Sequence, residues 1–273
     1  MAKLLLFGWQ ILWLCYGVST LDFFIFALQY PVGYCKVTVK NRCREHNMRE
    51  HFTIHGLWPG STAPHAKTEN CHPYEHFNVE DLTPIRTRLE EIWPSMKSHN
   101  PAQFWAHEWK KHGTCGVSVP GLTGFLSFFN TTLALYERFN LTQFLENDDI
   151  LPSAATSYAV ADVQHALKND LYSKVDLVCD QANSFEYPVL TEVHLCLNLD
   201  LQPIDCPYKK ERCGKDRMFL LPLKDDDRVP GTISGAQDSP YRKKSMSDFS
   251  TFGAHIIVAI LAALHITRPR VLP

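Results

Sequence analysis

The sequence predicts a single α+β domain, and two strand patterns and several helical segments indicate it. Residues 21–30 are apolar on both alternation faces, as expected of a central strand covered on two sides. Residues 193–201 alternate Val and Leu with polar residues and Cys, which predicts a half-buried strand. Helical patterns lie between them, at residues 79–92, 104–115, 122–139 and 159–171. Residues 20–223 are long enough for one sizeable core, and no internal repeat is visible.

The N-terminal residues predict export. An apolar run over residues 4–18 follows Lys3 and precedes small residues, which is typical of a signal peptide at residues 1–19. The chain has 9 cysteines, and removal of the segment that contains Cys15 leaves an even number. An even number in an exported chain indicates disulfides, although the count leaves their pairing open. Sequons at Asn130 and Asn140 are candidate glycosylation sites on the same route.

The first polar segment is residues 51–59, His-Phe-Thr-Ile-His-Gly-Leu-Trp-Pro. We predict a strand end that enters a tight turn at Gly-Leu-Trp-Pro. Alternation places Thr53 and His55 on the face opposite Phe52 and Ile54. His55 can therefore leave the sheet toward a neighbouring helix.

The second polar segment is residues 104–115, Phe-Trp-Ala-His-Glu-Trp-Lys-Lys-His-Gly-Thr-Cys. In a helix, at about 100° per residue, one arc of roughly 140° carries the polar groups, whereas Lys110 points away. Those groups are His107, Glu108, Lys111 and His112. A purely structural helix has little reason to place an acid and a lysine between two histidines on one face.

These groups match the needs of metal-free RNA cleavage. Attack by a ribose 2′-hydroxyl needs one group to take a proton, another to protonate the leaving 5′-oxygen, and positive charge around the phosphorus. A zinc-protease helix needs histidines four residues apart, whereas His107 and His112 are five apart. Histidines in residues 63–76 lie in a proline-punctuated loop, so we predict no metal site and no cofactor.

Both segments resemble the two active-site segments of the ribonuclease T2 family of secreted acid endoribonucleases. The motifs Phe-Thr-Ile-His-Gly-Leu-Trp-Pro and His-Glu-Trp-Lys-Lys-His-Gly-Thr-Cys occur in order, at residues 52–59 and 107–115. The resemblance covers nearly all of residues 20–223. It implies an antiparallel-rich central sheet with flanking helices in one disulfide-stapled domain.

The resemblance also implies a role for each catalytic residue. His112 would be the general base on the 2′-hydroxyl, and His55 the general acid for the 5′-oxygen. His107 would bind phosphate. Glu108 and Lys111 would stabilise or orient the pentacoordinate species.

Base binding and disulfide pairing follow from the same resemblance. Trp58 would help to form a base-stacking pocket. Gly60 stands where some relatives carry a base-reading aspartate, which leaves base preference open. The implied disulfides are Cys35–Cys43, Cys71–Cys115, Cys179–Cys213 and Cys196–Cys206. The second of these would tie the end of the catalytic helix to the loop after the first motif.

Together these patterns predict a monomeric endoribonuclease that cleaves single-stranded RNA, and not DNA, to 2′,3′-cyclic phosphate ends. It would reside outside the cell or in the lysosomal or endosomal lumen. The formal net charge of −2 lacks the basic field of a sequence-independent polyanion binder, so RNA should be held locally. The alternatives are a secreted RNA-binding or signalling glycoprotein with incidental ribonuclease activity, and a zinc hydrolase. Retention of all five polar site groups favours the endoribonuclease.

The C-terminal residues predict a polar linker, residues 224–253, and a short tail, residues 254–273. The tail is apolar over residues 254–266 apart from His255 and His265, which is too short to span a bilayer. An interfacial helix, a lipid-anchor signal with Ser245 as its site, and a removable extension all stay open. Membrane contact through the tail is one of these alternatives.

Overall fold

The computed structural model describes residues 21–38, 43–72, 77–208, 210 and 212–224. The predicted signal peptide, linker and tail lie outside these residues, apart from Lys224 at the predicted start of the linker. Within the described ranges, no helix is both long enough and apolar enough to cross a membrane.

Seven strands of the described chain form one sheet in the order β2-β1-β5-β7-β3, and β4 and β6 also pair with β5. Every pair is antiparallel except a short parallel contact between β5 and β7. The strands are β1 Phe23–Gln29, β2 Thr53–Gly60, β3 Ser157–Ala159, β4 Asp176–Asp180, β5 Val189–Leu197, β6 Pro203–Ile204 and β7 Arg217–Phe219. The predicted α+β class with an antiparallel-rich sheet is confirmed, and β1 is central as expected.

The α-helices of the described residues are α1 Pro31–Gly33, α2 Arg86–Ile92, α3 Pro101–Lys111, α4 Phe125–Arg138, α5 Leu141–Asn147 and α6 Val160–Leu171. The helices predicted at 122–139 and 159–171 are confirmed within a few residues. The prediction for 79–92 is partly wrong, because Val79–Ile85 is a 3₁₀ helix and α2 starts only at Arg86. Pro84 lies inside that 3₁₀ segment, where it lacks a donor and disfavours α geometry at Thr83.

The prediction that the second strand is half-buried is wrong. The strand is Val189–Leu197, and all of its residues are buried. His194 and Cys196, the polar positions of the alternation, are covered: the first is hydrogen-bonded to Glu192, and the second forms a disulfide. The strand ends because the Asn198 side chain accepts hydrogen bonds from the backbone N–H groups that follow it.

The predicted tight turn at Gly-Leu-Trp-Pro is also wrong, because β2 continues through it to Gly60, which pairs with Phe23. The strand instead contains a β-bulge. Ala27 lies opposite Gly56 and Leu28 opposite Ile54, so the residue between them in β2 has no partner in β1. That extra residue is His55.

The four implied disulfides are all present: Cys35–Cys43, Cys71–Cys115, Cys179–Cys213 and Cys196–Cys206. Cys115 ends the 3₁₀ turn Gly113–Cys115, which directly follows α3 and His112. The Cys71–Cys115 bond therefore fixes the end of this helix to the loop after β2, as expected.

The last described residues pack on the domain. The Tyr30 hydroxyl donates to the Leu221 carbonyl at 2.7 Å, and the Lys36 ammonium donates to the Pro222 carbonyl at 3.0 Å. The Leu223 N–H donates to the Glu50 carboxylate. The chain is thus tied to the domain as far as Leu223.

Candidate active site

One face of the sheet carries polar side chains where β1, β2 and β5 lie side by side. Residues directly opposite one another on paired strands share a face. Gln29 of β1 lies between Thr53 and Glu192, and Ala27 lies between Gly56 and His194. The other face is core: Phe24, Phe26, Leu28, Ile54, Leu57, Val193 and Leu195 are each at most 1% exposed. The strands therefore separate a polar surface from the hydrophobic interior.

The bulge brings Gly56 and Trp58 onto the same polar face as His55. An unpaired extra residue shifts the phase of the strand, so that His55 lies on the same face as Gly56 and Trp58. The freed His55 carbonyl accepts a hydrogen bond from the Trp93 indole at 2.9 Å. The Trp93 carbonyl in turn accepts from the indole of Trp105 in α3, also at 2.9 Å. Two indoles therefore connect the bulge to the helix.

Gly56 allows the helix to approach the strand closely. A Cβ atom at this position would lie 2.2 Å from both Glu108 Oε2 and Trp58 Nε1. These two atoms are joined by a hydrogen bond of 2.9 Å that the indole donates. The Trp58–Glu108 contact therefore crosses directly over Gly56.

Helix α3 begins at a local signal and presents two different surfaces. The Asn100 side chain caps it by accepting from the Ala102 N–H at 3.0 Å. Trp109 is buried in the core. Glu108 and His112, which are 2% and 6% exposed, face the strands instead. Helix α3 thus joins the core to the polar face of the sheet.

The indole of Trp58 lies between two histidines from different elements. Its ring centroid is 4.9 Å from that of His55 and 5.4 Å from that of His112. Phe104 of α3 contacts the His55 ring at a centroid distance of 6.0 Å. The two sequence motifs therefore converge on Trp58.

The other two predicted site residues of α3 are more accessible. The Lys111 ammonium lies 3.4 Å from the Glu69 carboxylate, and His107 is exposed. The pKa of His107 is lowered by partial burial and by the positive charges of Lys111 and His55. Lys111 and His107 are thus close enough to His112 to lower its pKa as well.

His55 is held as a cation by an adjacent carboxylate. Its Nδ1–H donates to Glu192 Oε1 at 2.8 Å. Burial lowers the pKa of His55, but the hydrogen bond and charge of Glu192 outweigh burial, and the pKa is raised above its usual value. His55 therefore keeps its proton at mildly acidic pH.

Glu192 is the centre of a polar chain that sequence reasoning missed. Gln29 donates to its Oε1 at 3.2 Å, and His194 Nε2–H donates to its Oε2 at 2.9 Å. Burial raises the pKa of Glu192, but the bonds from His194 and His55 outweigh it and lower the pKa. Arg212 completes the chain by donating to His194 Nδ1 at 2.9 Å and to Asp176. The available signal was the pair of ionisable residues, Glu192 and His194, two apart in a largely apolar strand.

His112 has the opposite environment. Burial and the charges of Lys111, His107 and His55 lower its pKa to about 3. Its buried Nδ1 has no hydrogen-bond partner among the described residues. Burial also raises the pKa of Glu108 to about 7, although the charge of His55 and the hydrogen bond from Trp58 oppose it. At mildly acidic pH, His112 is therefore neutral and Glu108 is protonated.

The histidine-rich segment after β2 contributes no metal cluster to the described ranges. No group of three or more His, Cys, Asp or Glu side chains within them could hold a metal ion. Cys71, beside His72, forms a disulfide with Cys115 instead.

The model of the ribonuclease T2 family matches residues 21–206. The chain belongs to the ribonuclease T2 family. Ribonuclease Oy of Magallana gigas is 30% identical over 207 residues, which cover 74% of this chain and 96% of that protein. Ribonuclease T2 of Sus scrofa is 33% identical over 192 residues, which cover 67% and 92%. Members of the ribonuclease T2 family act on RNA, and this chain is an endoribonuclease of that type.

Solved structures of ribonuclease T2 proteins share the fold. Human RNase T2 superposes with a TM-score of 0.63 at 29% identity, covering 74% of this chain and 98% of the human chain. RNase NT in complex with 5′-AMP superposes with a TM-score of 0.64 at 27% identity, covering 73% and 98%. The sheet and helices that carry both motifs are thus those of a ribonuclease T2.

The predicted glycosylation sites lie on helices, whereas Gly60 lies on β2, two residues after Trp58. Asn130 is exposed on α4, and Asn140 is exposed at the start of α5. The Asn140 side-chain oxygen accepts from the Gln143 N–H at 3.2 Å, which leaves its amide nitrogen available. A Cβ atom at Gly60 would lie 2.4 Å from the Phe23 ring, so an aspartate does not fit there unless Phe23 moves.

Proposed function

We propose that this endoribonuclease cleaves single-stranded RNA by internal attack of the 2′-hydroxyl, without a metal ion. The observation that supports it best is the opposite perturbation of two histidines on either side of Trp58. The pKa of His55 is raised, whereas that of His112 is lowered to about 3. Groups whose pKa values are pushed apart can act as acid and base at the same pH.

In the proposed reaction, neutral His112 removes the proton of the 2′-hydroxyl. The 2′-oxygen forms a bond to phosphorus, and the bond from phosphorus to the 5′-oxygen breaks. His55 gives its Nε2 proton to that leaving oxygen while Nδ1 stays bonded to Glu192. The products are a 2′,3′-cyclic phosphate and a free 5′-hydroxyl. DNA lacks the nucleophile and is not cleaved.

The remaining groups of α3 stabilise the pentacoordinate phosphorus. The carboxyl of Glu108 has a pKa of about 7, so in mild acid it can donate a hydrogen bond to a phosphoryl oxygen while it accepts one from Trp58. Lys111 adds positive charge and His107 binds the phosphate. No water or metal ion is needed for this first step.

Trp58 offers a platform for the base of the bound nucleotide. The solved relatives include RNase NT with 5′-AMP and an RNase MC1 variant with 5′-GMP, so nucleoside monophosphates bind to those proteins. We propose that a nucleotide binds to this chain beside Trp58. Base selection here does not use an aspartate at position 60, because that residue is Gly60. The Phe23 ring fills the space that a side chain there would need.

The proposed setting is a lumen or the outside of the cell. Four disulfides need an oxidising compartment, and they favour a secreted or lysosomal monomer with glycans on Asn130 and Asn140. An acidic lumen suits the site, because His55 is then protonated and His112 is still neutral.

The test is cleavage of a short single-stranded RNA by purified protein in excess chelator at mildly acidic pH. We expect fragments with 2′,3′-cyclic phosphate ends, identified by mass spectrometry. The same strand with 2′-methoxy groups, and the matching DNA, should stay intact. Loss of turnover in the chelator would favour the zinc hydrolase, and cutting of the 2′-methoxy strand would exclude internal attack.

A further inference from the structure

A cavity of about 500 Å³ lies between α6, β4 and residues 205–208, 210 and 212–215, outside the two motif segments. Six of its lining side chains are basic: His165, Lys168, Lys174, Lys210, Arg212 and Lys215. Two acidic side chains, Asp176 and Asp205, also line it. The cavity thus concentrates positive charge in a chain whose formal net charge is −2.

Both carboxylates of the cavity already have partners. Asp176 accepts a hydrogen bond from Arg212, and Asp205 accepts one from the backbone N–H of Lys174 at 2.8 Å. The cavity lining has four lysine ammonium groups and the Arg212 guanidinium against these two carboxylates. Positive charge is therefore in excess even with His165 neutral. A concave surface lined by one sign of charge attracts ligands of the opposite sign.

The cavity also has apolar walls, formed by Val160, Val175 and Leu177. Its volume is in the usual range of small-molecule sites, roughly 300–1,000 Å³. A ligand with an anionic end and an organic body suits such a space better than a small inorganic ion. A nucleotide has both parts.

Arg212 connects this cavity with the proposed cleavage site. Its guanidinium lines the cavity and donates to His194 Nδ1 at 2.9 Å. The His194 ring lies 5.3 Å from the Trp58 ring, centroid to centroid. One side chain thus separates the cavity wall from the proposed base platform.

We propose that this cavity is a second nucleotide-binding site, which takes a phosphate-bearing nucleotide beyond the one held at Trp58. This nucleotide is either part of the RNA strand that binds at Trp58 or a free mononucleotide. The strand arm of this inference rests on the proposed function, whereas the mononucleotide arm does not.

The experiment compares wild-type protein with the double variant Lys168→Ala/Lys210→Ala. The control, Lys67→Ala/Arg86→Ala, removes the same charge from exposed positions outside the cavity and the site. Thermal unfolding checks that all proteins fold. A single variant, Lys174→Ala, keeps its backbone bond to Asp205 and should give a smaller effect in the same direction.

In the first arm, 5′-AMP is titrated by calorimetry. We expect the double variant to bind one 5′-AMP fewer than the wild type and the control. In the second arm, 2′-methoxy RNAs of two and twelve nucleotides are bound at several salt concentrations. The double variant should weaken binding of the longer strand about tenfold, leave the dinucleotide unchanged, and reduce the salt slope by about one per lost contact.

A change in the 5′-AMP arm alone identifies a free nucleotide as the ligand, and a change in the RNA arm alone identifies the substrate strand. An equal number of 5′-AMP sites in the wild type and the double variant, together with equal RNA affinities in the double variant and the control, would overturn the inference. Failure of the proposed function has a different result, namely the absence of cyclic-phosphate products from wild-type protein.

Discussion

The two histidines that flank Trp58 obtain their opposite charge states from different parts of the fold. His55 lies on a strand, and its charge depends on Glu192, which is 137 positions away in sequence. His112 lies at the end of α3, and its pKa of about 3 depends on burial and on cations of its own helix and of His55. A carboxylate partner thus stabilises the proton of His55, whereas burial and nearby cations disfavour a second proton on His112.

This difference shows which substitutions should affect each histidine. The charge of His55 can be changed by a substitution on another strand, without alteration of its own position. The state of His112 changes only if its burial or the cations around it change. The following experiments test that distinction, from the largest expected effect to the smallest.

Removal of either imidazole should have the largest effect. We expect His55→Ala and His112→Ala each to lower the single-turnover cleavage rate by about 10² to 10⁴, because a proton acceptor or donor is lost. The affinity for 2′-methoxy RNA should change little. His99→Ala, an exposed histidine outside the site, is the matched control. Near-normal turnover in either variant would remove that histidine from the mechanism.

The pH dependence of the wild-type rate should be bell-shaped. The rate should rise with pH through about 3, where His112 loses its proton. It should fall again above the usual pKa of a histidine, because the raised pKa of His55 keeps its proton longer. Each limb should change the rate about tenfold per pH unit. The pKa values read from the two limbs are macroscopic values of the coupled site. A flat profile from acid to mildly alkaline pH would contradict paired histidine catalysis.

Glu192→Gln should alter only the His55 side of the comparison. Loss of the carboxylate lowers the pKa of His55, so the alkaline limb should move to lower pH and the rate at neutral pH should fall about tenfold. The acidic limb, which reports His112, should not move. Glu146→Gln, on the exposed surface of α5, serves as the control. Equal displacement of both limbs would mean that Glu192 does not act through His55.

Gly56→Ala should disturb the contact that joins the two sides. The added Cβ would lie 2.2 Å from Glu108 Oε2 and Trp58 Nε1, which should cost about 1–3 kcal/mol of unfolding free energy and reduce the rate several-fold. Gly124→Ala is the control, because its Cβ would meet only Ser127 Oγ, at 3.9 Å. Chemical denaturation and kinetics measure the two effects. An unchanged stability would show that the helix can move away from the strand.

Deletion of the residues after about Arg228 should have the smallest effect. The described contacts tie the chain to the domain as far as Leu223, and the site and disulfides lie upstream. Ribonuclease activity and melting temperature should therefore change little, whereas any membrane retention should be lost. The measurement compares full-length and truncated protein in secretion and cleavage assays. Loss of folding on truncation would move the domain boundary toward the C-terminus.

Local sequence patterns predicted the helix side of the site better than the strand side. The spacing of Glu108 and His112 placed both on one face of α3, and the structure has both facing Trp58. Helical periodicity arises within a few residues, so the sequence alone can reveal it. Apolar periodicity alone does not reveal the 3₁₀ segment before α2, because it does not register how Pro84 disfavours α geometry at Thr83.

The strand side depends on partners far away in sequence. The bulge at His55 is defined by the register with β1, and the buried state of His194 by Glu192 and Arg212. No pattern within residues 51–59 distinguishes a turn after His55 from a bulge at it. The chain from Glu192 to Asp176 likewise forms only when β4, β5 and the segment that carries Arg212 come together.

The unpaired residue at His55 also has a consequence for how such a site could arise or be transferred to another protein. Replacement of a residue in a regular strand by histidine would not reproduce it, because Gly56 and Leu57 would then exchange faces. The proposed acid requires both an extra residue in β2 and a histidine at that residue. Deletion of one residue at the bulge would therefore be more damaging than any substitution of His55. Alignments or grafts that treat residues 53–60 as an uninterrupted ladder would place Trp58 in the hydrophobic interior.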